Sequence, residues 1–141
     1  MKSVFYFLLI MILLSCGAKE ADPIKLSVDG CEFCKMKISD GKFGAELITT
    51  KGRVYKFDDM HCMLGYHKEN QNMKVKSFYI HDFNQINVLI PAETAFYAKG
   101  GSINSPMHGN IIATKTKEEA EKLAKEYQAN LLSWNEISNK K

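Results

Sequence analysis

Strong charge of either sign is missing from this sequence. Nineteen lysine and arginine side chains against sixteen acidic ones leave a net charge of +3 in 141 residues. So mild a balance argues against nucleic acid as a partner and gives no reason to expect an acidic substrate. A membrane-spanning run is missing too. The apolar stretch at 4–14 is too short to cross a bilayer comfortably as a helix. Cysteine is scarce, with four in the chain, and the count does not resolve into internal disulfides once one of them is assigned elsewhere.

That one is Cys16. Lys2 followed by the apolar run at 4–14 reads as a secretion signal, and Leu13-Leu14-Ser15-Cys16 resembles a bacterial lipobox. Cleavage after Ser15 makes Cys16 the acylated first residue, so the expected product is exported and tethered by acyl chains. The expected location is the cell envelope, lipid-anchored and facing the periplasm. Residues 1–15 are then signal, and residues 16–30 hold the lipidated cysteine and a linker, small and polar over 17–22. Removing residues 1–15 from 141 leaves 126 residues, enough for one compact domain over 31–141.

What the sequence does have is sulfur in a short space. Cys31-Glu-Phe-Cys34-Lys-Met36 places two thiols and a thioether within six residues. Thiolate with thioether is a soft ligand set suited to Cu(I), whereas the thiolates alone suit zinc equally well. With Cys16 acylated, Cys31, Cys34 and Cys62 remain, so at least one thiol stays outside any internal disulfide. A Cys31–Cys34 disulfide with Cys62 as a small buried hydrophobe is an open alternative.

The pattern between turns predicts an α+β fold. Residues 44–51 and 53–57 read as a hairpin around Lys51-Gly52, Asp58 and Asp59 as the start of a helix over 60–69, and 76–82 as a returning strand. The second half follows the same order: a short strand at 87–90 broken by Pro91, strands at 95–99 and 110–114, a helix at 118–127 behind the Thr116-x-x-Glu119 capping box, and a closing strand at 130–134. Two similar small β-β-α-β units are therefore expected to pack together, over about 31–84 and 85–137. The clearest echo between them is Gly-Ala-Glu-Leu-Ile-Thr-Thr-Lys at 44–51 against Gly-Asn-Ile-Ile-Ala-Thr-Lys at 109–115.

A second soft position lies in Ser105-Pro106-Met107-His108-Gly109, where a methionine and a histidine end a loop dense in turn residues. His61 and Cys62 are adjacent on the first helix and so point in different directions. Met60, Met63 and Leu64 read as core, His67 as a surface residue and His81 as structural.

Taken together, the lipobox, Cys31-x-x-Cys34-x-Met36, Phe57-Asp58-Asp59 and the Ser105-Pro106-Met107 loop resemble the NosL family of copper-binding lipoproteins encoded with nitrous-oxide reductase. The resemblance implies a fold of two similar α+β units and a carrier, not an enzyme. Its cargo would be Cu(I), delivered for assembly of the reductase's copper–sulfur centre through a membrane-associated maturation complex with an ABC-type transporter. Carried over by motif, Cys34 and Met36 match the Cys-x-Met ligands, Met107 matches a later methionine, and Cys31 matches a first cysteine that acts as ligand or as redox partner of Cys34. Two departures stand out: Lys35 where many relatives have glycine, and His108, a supplementary ligand candidate, ahead of Gly109. Movement between the halves would open such a site at Met107. A thiol–disulfide oxidoreductase using Cys31 and Cys34, and a structural zinc module using Cys31, Cys34, Cys62 and a histidine, remain the alternatives.

Overall fold

The computed structural model describes residues 20–139. The signal segment and Cys16 lie outside the described residues. No described helix is long and apolar enough to cross a membrane.

Five consecutive buried residues, Ala-Glu-Leu-Ile-Thr, form β1 (Ala45–Thr49). A strand buried at every position must be central in its sheet and covered on both faces. β2 (Val54–Phe57) pairs with one edge after a turn in which Gly52 takes φ +79°, and β3 (Val75–His81) pairs with the other. β4 (Leu89–Pro91) extends the antiparallel sheet to the order β2-β1-β3-β4. Pairing sets Ala45 and Leu47 level with Phe57, Tyr55, Ile80 and Phe78. Across that face lies α1 (Met60–Glu69), whose Tyr66 ring stands 5.0 Å from Tyr55 and 5.3 Å from Phe57, while His67 meets Phe78 edge-on at 5.3 Å.

The opposite face carries Glu46 between Lys56 and Tyr79. It is crossed by the start of the described chain. The Asp22 N–H donates to the Glu46 carboxylate at 3.0 and 3.2 Å, and Lys56 Nζ donates to the Pro23 carbonyl while pairing with Asp22 and Asp29 at 3.1 and 2.8 Å. Ile24 behind this clasp is 1% exposed. The described part of the segment expected to be linker is thus docked on the sheet from Asp22 onward.

The second unit has the same topology. β5 (Phe96–Lys99) follows a single 3₁₀ turn, Ala92–Thr94, and is flanked by β6 (Ile111–Thr114) and β7 (Asn130–Leu132) in the order β6-β5-β7. Between β6 and β7 runs α2 (Lys117–Glu126), started by the expected capping box of Thr116 and Glu119. In both units the first strand is central, the hairpin partner lies on one side and the strand after the helix on the other. A parallel bridge between Asp82 and Ala113 joins the sheets. Alternation in β6 divides the interior: Ile111 and Ala113 enter the main core with Phe57, Met60, Met63, Ile80 and Tyr97, while Ile112 packs with Leu123 and Ala124 under α2.

The structure corrects three details. The echo between 44–51 and 109–115 aligns β1 with β6, a central strand with an edge strand, whereas the topological partner of β1 is β5. Pro91 does not end its strand from outside; it pairs with Tyr79 as the last residue of β4, and an edge strand tolerates proline because no neighbour needs its missing N–H. The closing strand stops at Leu132, because Ser133 and Glu136 form a second capping box that starts α3 (Trp134–Ser138).

His81, expected to be structural, is fully buried at the end of β3, and its ring fills the space that a Cβ on Gly44 would need. Burial pushes its pKa down to about 4, against smaller opposing effects from Asp40 and Asn87. A histidine neutral in the fold and free to protonate when unfolded makes stability fall as pH drops from its unfolded pKa toward the folded one. His81→Gln is therefore expected to flatten the decline in urea-unfolding stability between about pH 6.5 and 4, removing on the order of 3 kcal/mol of pH dependence. An unchanged slope relative to wild type would show that His81 does not carry it.

Candidate metal centre

The segment 31–36 is a tight turn closed by its own backbone: Cys31 N–H donates to the Met36 carbonyl at 2.8 Å and Lys35 N–H to the Cys31 carbonyl at 3.0 Å. Closing it puts Lys35 at φ +64°, the left-handed conformation that glycine adopts without strain. Lys35 bears that strain and pairs with Glu32 at 3.1 Å in solvent. Phe33 anchors the turn on α1. A Cβ on Gly65 would lie 2.9 Å from its ring, so the helix accepts the loop only because that position is glycine.

Docking the turn on the start of α1 brings in a third cysteine. The Sγ atoms of Cys31, Cys34 and Cys62 all lie within 4.8 Å of one another, and all three are free. Cys31 and Cys62 are buried and Cys34 is half-buried. Cys62 is the site residue that the sequence reading placed only in the core or in the zinc alternative. Its position in the first turn after Asp59 was the available signal, since that turn starts where the Phe57-Asp58-Asp59 motif ends. The expectation that His61 points elsewhere holds: it is exposed and lies against Gly109.

Hydrogen bonding makes the cluster electrostatically uneven. The Cys62 thiol donates to Cys31, and backbone N–H groups of Cys34 and Asp58 also point at that sulfur, the former at 3.4 Å. These donors outweigh burial and hold the Cys31 thiol down at about 5. Cys62, as the donor, is pushed far up, and burial pushes Cys34 up as well. At neutral pH the depressed Cys31 is then the thiolate of the cluster, flanked by the raised thiols of Cys34 and Cys62. The neighbouring Asp58 carboxyl is raised to about 6 by burial and then by the charges of Cys31, Asp59 and Asp40.

Met36 stands at the mouth of the turn, 49% exposed. Met107 is partly buried against the same core, and His108 is exposed at φ +59°. The loop carrying them is joined to the cysteine helix by one carboxylate. Asp59 caps α1 by accepting from Cys62 N–H through Oδ1 at 3.2 Å. Its Oδ2 accepts from Ser105 Oγ at 2.7 Å, Met107 N–H at 3.1 Å and Gly109 N–H at 3.3 Å. Ser105 Oγ in turn accepts from Asn110 N–H at 2.8 Å. Met36 follows the cysteine turn in sequence and is exposed, while Met107 is partly buried on the loop that Asp59 ties to α1.

If Cys62 is what depresses Cys31, the reduced metal-free protein has one thiolate whose absorbance at 240 nm disappears as pH falls through about 5. Cys62→Ala, which leaves no side-chain donor at residue 62, is expected to move that midpoint upward by about a unit or more. A midpoint that stays in place in the variant, or no ultraviolet thiolate signal at neutral pH, would contradict this arrangement.

The NosL family model matches residues 23–141. No curated protein matches the chain. Among solved structures, the chain is similar to the copper chaperone NosL from Shewanella denitrificans, with 24% identity over 86% of this chain and 98% of that one, and a TM-score of 0.75. That likeness carries the fold, two antiparallel sheets with helices in a small α+β protein. With the family match spanning nearly all of the described residues, this chain belongs to the NosL family.

Proposed function

We propose that this protein is a Cu(I) carrier. Three free cysteine sulfurs clustered within 4.8 Å of one another are the observation that carries the reading. The solved relative is a copper chaperone. Soft thiolate and thioether donors favour Cu(I) over harder ions. The proposed ligands are Cys34, Cys31, Met36 and Met107, joined by Cys62; His108 is a supplementary candidate from an exposed position. The cargo is passed toward the copper–sulfur centre of nitrous-oxide reductase, through a membrane-associated maturation complex with an ABC-type transporter. The carrier itself is held in the cell envelope by acyl chains on Cys16, facing the periplasm, and performs no catalysis.

The exposure gradient supports a direction for exchange. Cys31 is the buried anion, ready to take the positive ion without first losing a proton. Cys34, half-exposed and with a raised pKa, must give up its proton as copper binds. Binding therefore releases protons and strengthens as pH rises. An incoming acceptor sulfur meets copper first from the side of Cys34 and Met36. As its bond to copper forms, the Cys34–copper bond breaks, and Cu(I) moves without change of oxidation state. Opening at Met107, by contrast, requires giving up the three hydrogen bonds on Asp59 Oδ2.

Anaerobic Cu(I) titration against a chromogenic chelator tests the reading. Stoichiometric tight binding is expected, abolished in Cys34→Ser and weakened in Met36→Leu and in Met107→Leu. Weak binding indifferent to all three changes would remove copper carriage. The Asp59 clasp makes a separate prediction. Asp59→Asn keeps a cap acceptor but loses charge toward the Ser105–Gly109 loop, and is expected to lower affinity about 10- to 100-fold, as supporting groups of metal sites do. An Asp59→Asn protein that binds copper like wild type would show that the loop is not part of the site.

The three-thiol cluster also favours one second reading, a structural zinc module. Metal analysis of the protein as purified separates the two: stoichiometric zinc whose removal unfolds the chain supports the module, and a folded metal-free protein opposes it.

A further inference from the structure

The described chain begins at Glu20, four residues after Cys16. An extended chain covers at most about 3.6 Å per residue, so Glu20 stands within roughly 14 Å of an acylated Cys16. The inference that follows rests on that reading of Cys16. So short a tether presses whatever surrounds Glu20 against the headgroup layer.

Glu20 and Ala21 line a cleft shared with Tyr79, Asn87, Val88 and Leu89. The loop that rises beside this cleft, between β3 and β4, presents two of the exposed large apolar side chains of the protein: Ile86 at 65% and Val88 at 41%. The loop is not loose. Asp82 N–H donates to the Val88 carbonyl at 2.8 Å, Val88 N–H to Gln85 at 3.1 Å, and Asn84 N–H to Asp82 Oδ1 at 3.0 Å. Asn87, at φ +62°, bonds to the Gly41 carbonyl at 2.7 Å. With its backbone satisfied by its own framework, the loop holds Ile86 outward as a fixed feature. Lys42 and Lys122 line the cleft on the other side of Ile86, together with Glu119 and Glu126. Charge there is mixed, so apolar contact rather than attraction to anionic lipid must supply the interaction.

We propose that the loop between β3 and β4, led by Ile86 and Val88, rests in the phospholipid interface and sets the orientation of the tethered protein on the bilayer. The acyl chains supply attachment. The loop supplies a second point of contact, which turns a swivelling tether into a defined pose.

Brominated-lipid quenching tests this on the full-length acylated protein, reconstituted in vesicles of phosphatidylethanolamine and phosphatidylglycerol with bromine on the acyl chains. Ile86→Trp and Leu131→Trp are each compared with the parent, which has Trp134 alone. Leu131 is a comparably exposed apolar position, 46%, on β7 of the other sheet. The added Ile86→Trp emission is expected to be blue-shifted and quenched, and the added Leu131→Trp emission to be neither. Unquenched Ile86→Trp emission in protein whose acylation is confirmed by mass would overturn the proposal and leave the anchor standing. Quenching confined to Leu131→Trp would overturn it in favour of another face. A mass lacking acyl chains would overturn the anchor, and the inference with it.

Discussion

The carboxylate of Asp59 ties together the two segments that form the candidate metal centre. One oxygen caps α1 and sets the first turn that carries Cys62. The other gathers three donors from a loop 46 to 50 residues away in sequence. A buried carboxylate must be satisfied by donors, and this one finds them all in groups that shape the site. Helix start and Met107 loop are therefore not independent parts; moving either one leaves charge unpaired. The two units of the fold meet at this carboxylate as much as at the bridge between Asp82 and Ala113.

Around that fixed point the sulfur groups are graded from inside to outside. Cys31 and Cys62 are buried, Cys34 is half-buried and Met36 is exposed. Negative charge is concentrated at the deep end, because Cys62 and backbone N–H groups donate to Cys31. A cation entering such a gradient gains a charged ligand only when it has passed the neutral ones.

The framework that permits this is made of close approaches. Gly65 lets Phe33 lie on α1, and Gly109 lets the Met107 loop pass His61 with a would-be Cβ distance of 3.0 Å. Lys35 bears a left-handed backbone so that the cysteine turn can close in six residues. The clasp of Asp22, Lys56 and Asp29 holds the segment leading into Cys31 against β2. Each is a local cost accepted for position.

Much of this was legible in the order of residues. Caps and turns depend on neighbours, so Asp59, the Thr116 box and the Lys51-Gly52 turn placed α1, α2 and the first hairpin, and alternation placed the strands. Cys31, Cys34 and Met36 are neighbours too, and stood out for that reason. Ser133 and Glu136 were equally local, and the short last helix they start was there to be read. Other features have no local signature. Which strand is central depends on edge pairing, so an echo between 44–51 and 109–115 pointed to the wrong equivalence. Cys62 joins the site across 28 residues through the docking of Phe33 on Gly65, and adjacency to His61 says nothing about that. The second oxygen of Asp59 is committed to a loop in the other unit. The sequence alone determined the chemistry available: soft sulfur ligands, two α+β units and their caps, because these rest on residue type and short-range geometry. Only the tertiary structure decided which sulfurs meet and which loop is tied to the start of α1, because those depend on burial and on contacts between segments far apart in the chain.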